Sequence, residues 1–277
     1  MKYDFSCCIC VVALMLCLLS GCSDPGGGGM AGTGGHGGNG GGVDPPEPIT
    51  LISKDSNGSQ GDGYSQDGAA SADGRYVAFE SVSTNLVAND TNASADIFLH
   101  DTQMGTTTRV SVDSSGTQAD GTSSSPRISA DGRYVVFSSG ATNLVMNDTN
   151  MVNDVFLHDT QTGSTTRVSV DALGNELNGA THDAAISADG LYVAFYSDAT
   201  NLVPGDTNND ADTFVRDTQS NTTIRVSVAA DGSEANRFSQ IVGMSRDGRY
   251  VLFYSPATNL LPAADNMANQ MFRAPNQ

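Results

Sequence analysis

The segment Asp206-Thr207-Asn208-Asn209-Asp210-Ala211-Asp212 places oxygen-bearing side chains at every second position. That is the spacing with which a loop wraps a hard cation such as Ca2+. Asp206, Asn208, Asp210 and Asp212 are therefore the first metal-ligand candidates. An earlier version keeps Asp90, Asn92, Ser94 and Asp96, a weaker set. A second keeps Asp148, Asn150 and Asp154 with Val152 in the third place, and the last has Ala264, Asn266, Ala268 and Gln270. None has the sixth-position Gly and twelfth-position Glu of an EF-hand. The fading of ligands from copy to copy implies that Ca2+ would stiffen one loop rather than hold the scaffold. A metal-free reading competes: Asp and Asn also close turns by bonding to their own backbone.

Nucleophilic or acid-base chemistry has less support. His100 and His158 occupy equivalent positions, but Arg216 and Ala274 replace them in the later copies. His182 is unique to its copy and is followed by Asp183, with no serine or cysteine nucleophile placed beside it. The histidines lack the close spacing of a zinc motif. Asp73, Asp131, Asp189 and Asp247 recur, each before a glycine, whereas an enzyme needs one asymmetric constellation. No catalytic residue is assigned. The expectation is a non-enzymatic protein, with a lyase or hydrolase of envelope glycans, or a Ca2+-dependent adhesion protein, as the alternatives.

These side chains sit in a frame that repeats every 58 residues: Ser71 to Phe79 returns as Ser129 to Phe137, Ser187 to Phe195 and Ser245 to Phe253. Each unit reads as four short strands. The second is Arg75–Phe79, apolar on both faces as an inner strand between two sheets should be. The third is Asp96–Leu99. The fourth is Thr108–Val112, where valines alternate with Arg and Ser. The first is weaker, near Ser125–Ser129 and Ala184–Ser187. Asp-Gly pairs at 73–74, 131–132, 189–190 and 247–248 supply hairpin turns. In the longest connection, Thr84-Asn85-Leu86-Val87 and its copies offer a Leu and a Val to plug the sheet edge.

Four strands per unit and radial repetition predict an all-β fold, a four-bladed β-propeller. Residues 49–54 align with a fourth strand and the chain stops after a third, so the reading closes the ring by pairing 49–54 with 270–274, removing two exposed edges. The core Ser-x-Asp-Gly-x-x-Val-x-Phe, at Ser71–Phe79 and its copies, resembles the repeat of the TolB-like propeller family over about residues 49–274. Known members usually have more than four blades. The resemblance implies a propeller whose channel mouth or top loops bind partners.

The start of the chain gives a location. Lys2 precedes an apolar run from Ile9 to Leu19, the form of a secretory signal and too short to span a bilayer. Leu19-Ser20-Gly21-Cys22 resembles the lipobox of bacterial lipoproteins. That resemblance implies a signal over 1–21, a diacylglyceryl group on Cys22, and an acylated new N-terminus carrying a fatty acid such as palmitate. All five cysteines lie at or before Cys22, so the domain must stand without disulfides. Residues 22–48 are Gly- and Pro-rich and read as a tether, the propeller as 49–274, and 275–277 as a tail. Ser23 favours the outer membrane, on its periplasmic or surface side. Net charge is −18, which repels nucleic acid and anionic lipid and suits a basic protein partner. The expected role is a lipid-anchored scaffold for protein binding.

Overall fold

The computed structural model describes residues 49–261 and 268–276. The signal 1–21, Cys22 with its expected lipid, the tether 22–48 and Ala264 lie outside the described residues. The chain divides into two units at Pro48/Ile49, and the repeats fill the second.

The recurring motif builds a turn. Ser71 Oγ donates to Asp73 Oδ1 at 2.6 Å and accepts from Tyr76 N at 3.0 Å, and Asp73 Oδ1 accepts from Arg75 N at 3.0 Å. Gly74 then takes a φ of +72°, a left-handed angle that costs a β-carbon residue about 1–2 kcal/mol. The same bonds recur around Ser129, Ser187 and Ser245. The repeated aspartates thus serve turns.

Each turn joins the first two strands of a blade. Blade one holds β1 (Ser65–Ala70), β2 (Tyr76–Ser81), β3 (Asp96–Asp101) and β4 (Thr106–Arg109). Blade two holds β5 (Ser123–Ile128), β6 (Tyr134–Ser139), β7 (Asp154–Asp159) and β8 (Ser164–Arg167). Blade three holds β9 (Thr181–Ile186), β10 (Tyr192–Ser197), β11 (Asp212–Asp217) and β12 (Thr222–Arg225). Blade four holds β13 (Gln240–Met244), β14 (Tyr250–Ser255) and β15 (Gln270–Pro275). All pairs are antiparallel in chain order, and the described residues contain no helix.

Strand limits differ from the sequence reading in two ways. The fourth strands end at the arginine, so Val112 leaves the ladder and bridges Gln118. The first strands are bulged: Ser125 has a φ of +55° and the register shifts between Ser124 and Arg127. A bulge breaks the alternation of faces, which is why these strands read weakly in sequence.

The core lies between blades. Ala78, Ile97 and Leu99 of blade one pack on Val135, Phe137 and Leu144 of blade two. Val136, Val155 and Leu157 pack on Val193 and Phe195, and Ala194 and Val215 on Ile241 and Val251. Leu86, Leu144, Leu202 and Leu260 are buried, as expected of the plug. Its motif also explains itself: Thr142 donates through N and Oγ1 to the Asp120 carboxylate at 2.7 and 2.8 Å, and Asn143 Nδ2 donates to Gln118 O at 2.8 Å.

The expected closing ladder is not formed. Sheet β13–β15 has three strands among the described residues, and Lys54 bridges Gln60 instead. The physical reason is local. Thr107 Oγ1 donates to Lys54 O at 2.5 Å, Thr107 N donates to Ser56 Oγ at 3.0 Å, and Ile52 packs on Phe79, Leu86 and Phe98. These contacts hold the segment on blade one.

Candidate functional site

The acidic loop before β11 turns inward on an arginine. Arg225, the last residue of β12, places Nη1 2.8 Å from Glu234 Oε2, 3.0 Å from Asp212 Oδ2 and 3.5 Å from Asp206 Oδ1. Oxygens of Asp206, Asp212 and Glu234 lie within 4.8 Å of one another, close enough to share one cation. Guanidinium holds that position. Asn208 turns its Nδ2 to Asp212 Oδ2 at 3.1 Å and to Ala235 O at 2.8 Å, while its Oδ1 accepts from Asp210 N at 2.8 Å. Asp206, Asn208 and Asp212 are therefore brought together. Asp210 joins through its backbone, and the carboxylate completing the group is Glu234.

Sequence reading missed Glu234 because it lies far along the chain, beyond β12. A signal existed: Gln118, Glu176 and Glu234 are one repeat apart, and each receives bonds from the Thr of the Asp-Thr-Asn motif. In blade one Gln118 Nε2 donates to Asp90 Oδ1 at 3.0 Å and Asp96 Oδ2 at 3.1 Å, with Arg109 3.4 Å from both aspartates. Asn92 Nδ2 points at Asp96 Oδ2, 3.4 Å away. Arg167 binds Asp148, Asp154 and Glu176 in blade two.

Burial dominates the electrostatics of these clusters. It pushes Asp206 up to about 6, with the Asp212 charge adding and Arg225 opposing. Asp148 is pushed to about 6 by burial and then by Asp154. Burial also raises Asp96 and Asp212. In contrast, the Arg75 guanidinium bonded to Asp101 holds that carboxyl at about 2, and Arg133 does the same to Asp159. The Asp206 side chain is 1% exposed, so no substrate reaches it.

His100 and His158 are buried links between successive units. His100 Nδ1 lies 2.9 Å from Thr107 Oγ1, whose single proton goes to Lys54 O. The imidazole therefore donates through Nδ1. Burial holds it neutral by lowering its pKa. His158 repeats the arrangement with Thr165 and Val112 O. Arg216 replaces the imidazole in blade three, donating to Thr223 Oγ1 at 3.1 Å.

Variation gathers on the innermost strands, β1, β5, β9 and β13, which lie side by side from blade to blade. One row holds Gln66 bonded to Glu80, then Ser124 paired with Ser138, then His182, then Gln240 bonded to Tyr254. His182 stacks on Tyr196 with centroids 4.8 Å apart, and its Nε2 lies 3.2 Å from Asp198 Oδ2. The partner of His182 is thus Asp198 rather than the adjacent Asp183. Tyr196 is pushed up to about 12 by burial, with the charge of Asp183 next in size. Sequence reading named His182 but missed Tyr196, Asp198 and Tyr254, because the bulge sets their partners outside simple alternation. Two exposed methionines of the β6–β7 connection, Met146 and Met151, were also unmarked.

No family model and no curated protein matches the chain. Solved structures do. TolB from Acinetobacter baumannii shares 17% identity and a TM-score of 0.37 over 79% of this chain and 44% of its own. The β-propeller domain of the Trilobed protease from Pyrococcus furiosus, described as having an open velcro topology, shares 15% and 0.45 over 76% and 54%. An acylaminoacyl peptidase from Pyrococcus horikoshii shares 15% and 0.44 over 77% and 31%. The chain spans about half the length or less of these structures, and the likeness is one of fold.

Proposed function

We propose that this chain is a lipid-anchored protein of the bacterial envelope whose propeller binds a protein partner along the row of innermost strands, without catalysis. The observation that carries the reading is where the repeats differ. Turn serines and aspartates, the Thr-Asn latch and the arginine clusters recur because they build blades. In the row Gln66/Glu80, Ser124/Ser138, His182/Tyr196 and Gln240/Tyr254 no two copies carry the same pair. A rigid frame with a varied row is the form in which loops and channel walls carry recognition.

The row offers aromatic faces beside carboxylates: the half-buried Tyr196 and Tyr254 with the exposed Asp183 and Asp198. Together with the net charge of −18, this chemistry suits a basic segment of the partner, drawn in by the acidic field. Anchoring rests on the leader and Cys22. A Cys22→Ser chain should take up no labelled palmitate.

A photo-crosslinking residue at position 182 in the native envelope should form a defined adduct, and one at the exposed Gln161 should not. Equal adducts at both positions, or none at 182, would overturn the reading.

A further inference from the structure

Three internal junctions between blades are built alike, and the two outer blades each present half of a fourth. At the internal junctions backbone bonds run from Ala72 N to Ala130 O, Ala130 N to Ala188 O and Ala188 N to Arg246 O, at 2.8–2.9 Å. In each, a tyrosine fills the space that a glycine leaves open. A β-carbon on Gly132 would stand 2.2 Å from Tyr76 Cδ2, on Gly190 2.2 Å from Tyr134 Cδ2, and on Gly248 2.4 Å from Tyr192 Cδ2. Next in both series come Arg246 N with Ala72 O, and Tyr250 with Gly74. Yet Gly74 has nothing within 4 Å. Val77 is half-buried where Val135, Val193 and Val251 are fully buried. On the opposite end Leu252 is 38% exposed at the position of the buried Ala78, Val136 and Ala194.

The N-terminal segment points to the same junction. Leu51 stands one repeat before Arg109, and Ala264 and Gln270 stand where Asp206 and Asp212 do. The arginine and its two aspartates are thus exchanged together, from distant parts of the chain, which couples residues 49–53 to blade four. Thr107 and the Ile52 contacts hold that segment on blade one, leaving Ile49 fully exposed and Leu51 46% exposed. The blade four it completes is therefore one docked on blade one, and within a single chain three junctions separate the two.

We propose that a second copy of this chain docks its blade four on blade one, head to tail, and takes residues 49–53 as the fourth strand of its β13–β15 sheet. Two such junctions related by a two-fold axis close a ring from two sets of four blades, leaving no free end. Arg273 replaces Leu99, Leu157 and Val215. Leu99 shares a cavity wall with Asp131 and Gly132 of the next blade, so Arg273 meets Asp73, a pairing of opposite charge.

Ala78 and Val135 share one interblade cluster, and Val77 with Leu252 is the equivalent pair at the new junction. Full chains carrying Val77→Cys and Leu252→Cys separately are mixed and oxidised, with the wild-type chain as the baseline for its native cysteines. A disulfide-linked dimer of one copy of each is expected, along with a dimeric mass in sedimentation that Leu252→Glu reduces to the monomer. A link formed within single chains of the double variant, with none between the two single variants, overturns the proposal in favour of a ring closed on itself. No link in either experiment, with a monomeric mass, overturns it as well.

Discussion

Arg225 is the residue on which the acidic loop of blade three depends. Truncating it to methionine strands Asp206, Asp212 and Glu234 around an empty centre, and loss of one partner of a buried ion pair costs about 3–5 kcal/mol. Arg225→Met should lose stability on this scale in urea melts. Calorimetry should show no Ca2+ heat for the wild type, whose cation position is filled, and the melting temperature should not move in millimolar calcium. A heat and a higher melting temperature would show that Ca2+ displaces the guanidinium in this loop. The same clusters set a pH dependence. Asp148 and Asp206 hold their protons up to about 6 against a usual 3.8. The folded state therefore binds protons more tightly, and stability falls as pH rises through that window, by up to about 3 kcal/mol per group. Asp101 and Asp159, held at about 2, act oppositely: their contribution is present above the usual value and fades as pH drops toward 2. Denaturation from pH 7 to 3 should show stability rising to about pH 4–5 and then falling. An Asp148→Asn/Asp206→Asn chain should lose the rise and keep the fall.

At the scale of elements, the turn glycines separate two effects that sequence alone merges. Gly163 and Gly132 have nearly the same φ, +73° and +78°, and Gly163 has nothing within 4 Å of an added β-carbon, so alanine strains both by about 1–2 kcal/mol. At Gly132 the new β-carbon also displaces Tyr76, adding about 1–3 kcal/mol of overpacking. Thermal melts of Gly132→Ala and Gly163→Ala should therefore differ, with Gly132→Ala the less stable. Equal losses would mean that the tyrosine seats are loose. The turns, the second and third strands and the leucine plug were legible in sequence because each rests on a local rule repeated four times. The first strands were not, because the bulge at Ser125 sends neighbours to faces that alternation does not assign. The fourth strands were read too far, since Val110 and Val112 keep an alternating pattern after leaving the ladder. Val110 is buried against the next blade.

Across the whole molecule, the division of labour follows recurrence. Side chains that return every 58 residues found blades, bridges and latches, including the aspartates and histidines that looked most chemical. Residues that change line the innermost strands and include Met146 and Met151 of the blade-two connection, while others, such as Arg216 and Arg273, stand on the third strands. The sequence contained the number of blades, but not which copy's edge receives residues 49–53, because strand phase names a missing partner without placing it. The acidic field belongs to this scale too: partner association should slow as salt rises, since steering weakens with the Debye length. The most direct measurement is the equilibrium affinity of the partner captured through position 182, compared among three chains. His182→Ala/Asp198→Asn should weaken binding about tenfold or more, as loss of a central contact does, while the buried-site variant Asp206→Asn should bind like the wild type. Undiminished binding by the double variant, or an equal loss in Asp206→Asn, would contradict the assignment of recognition to the varied row.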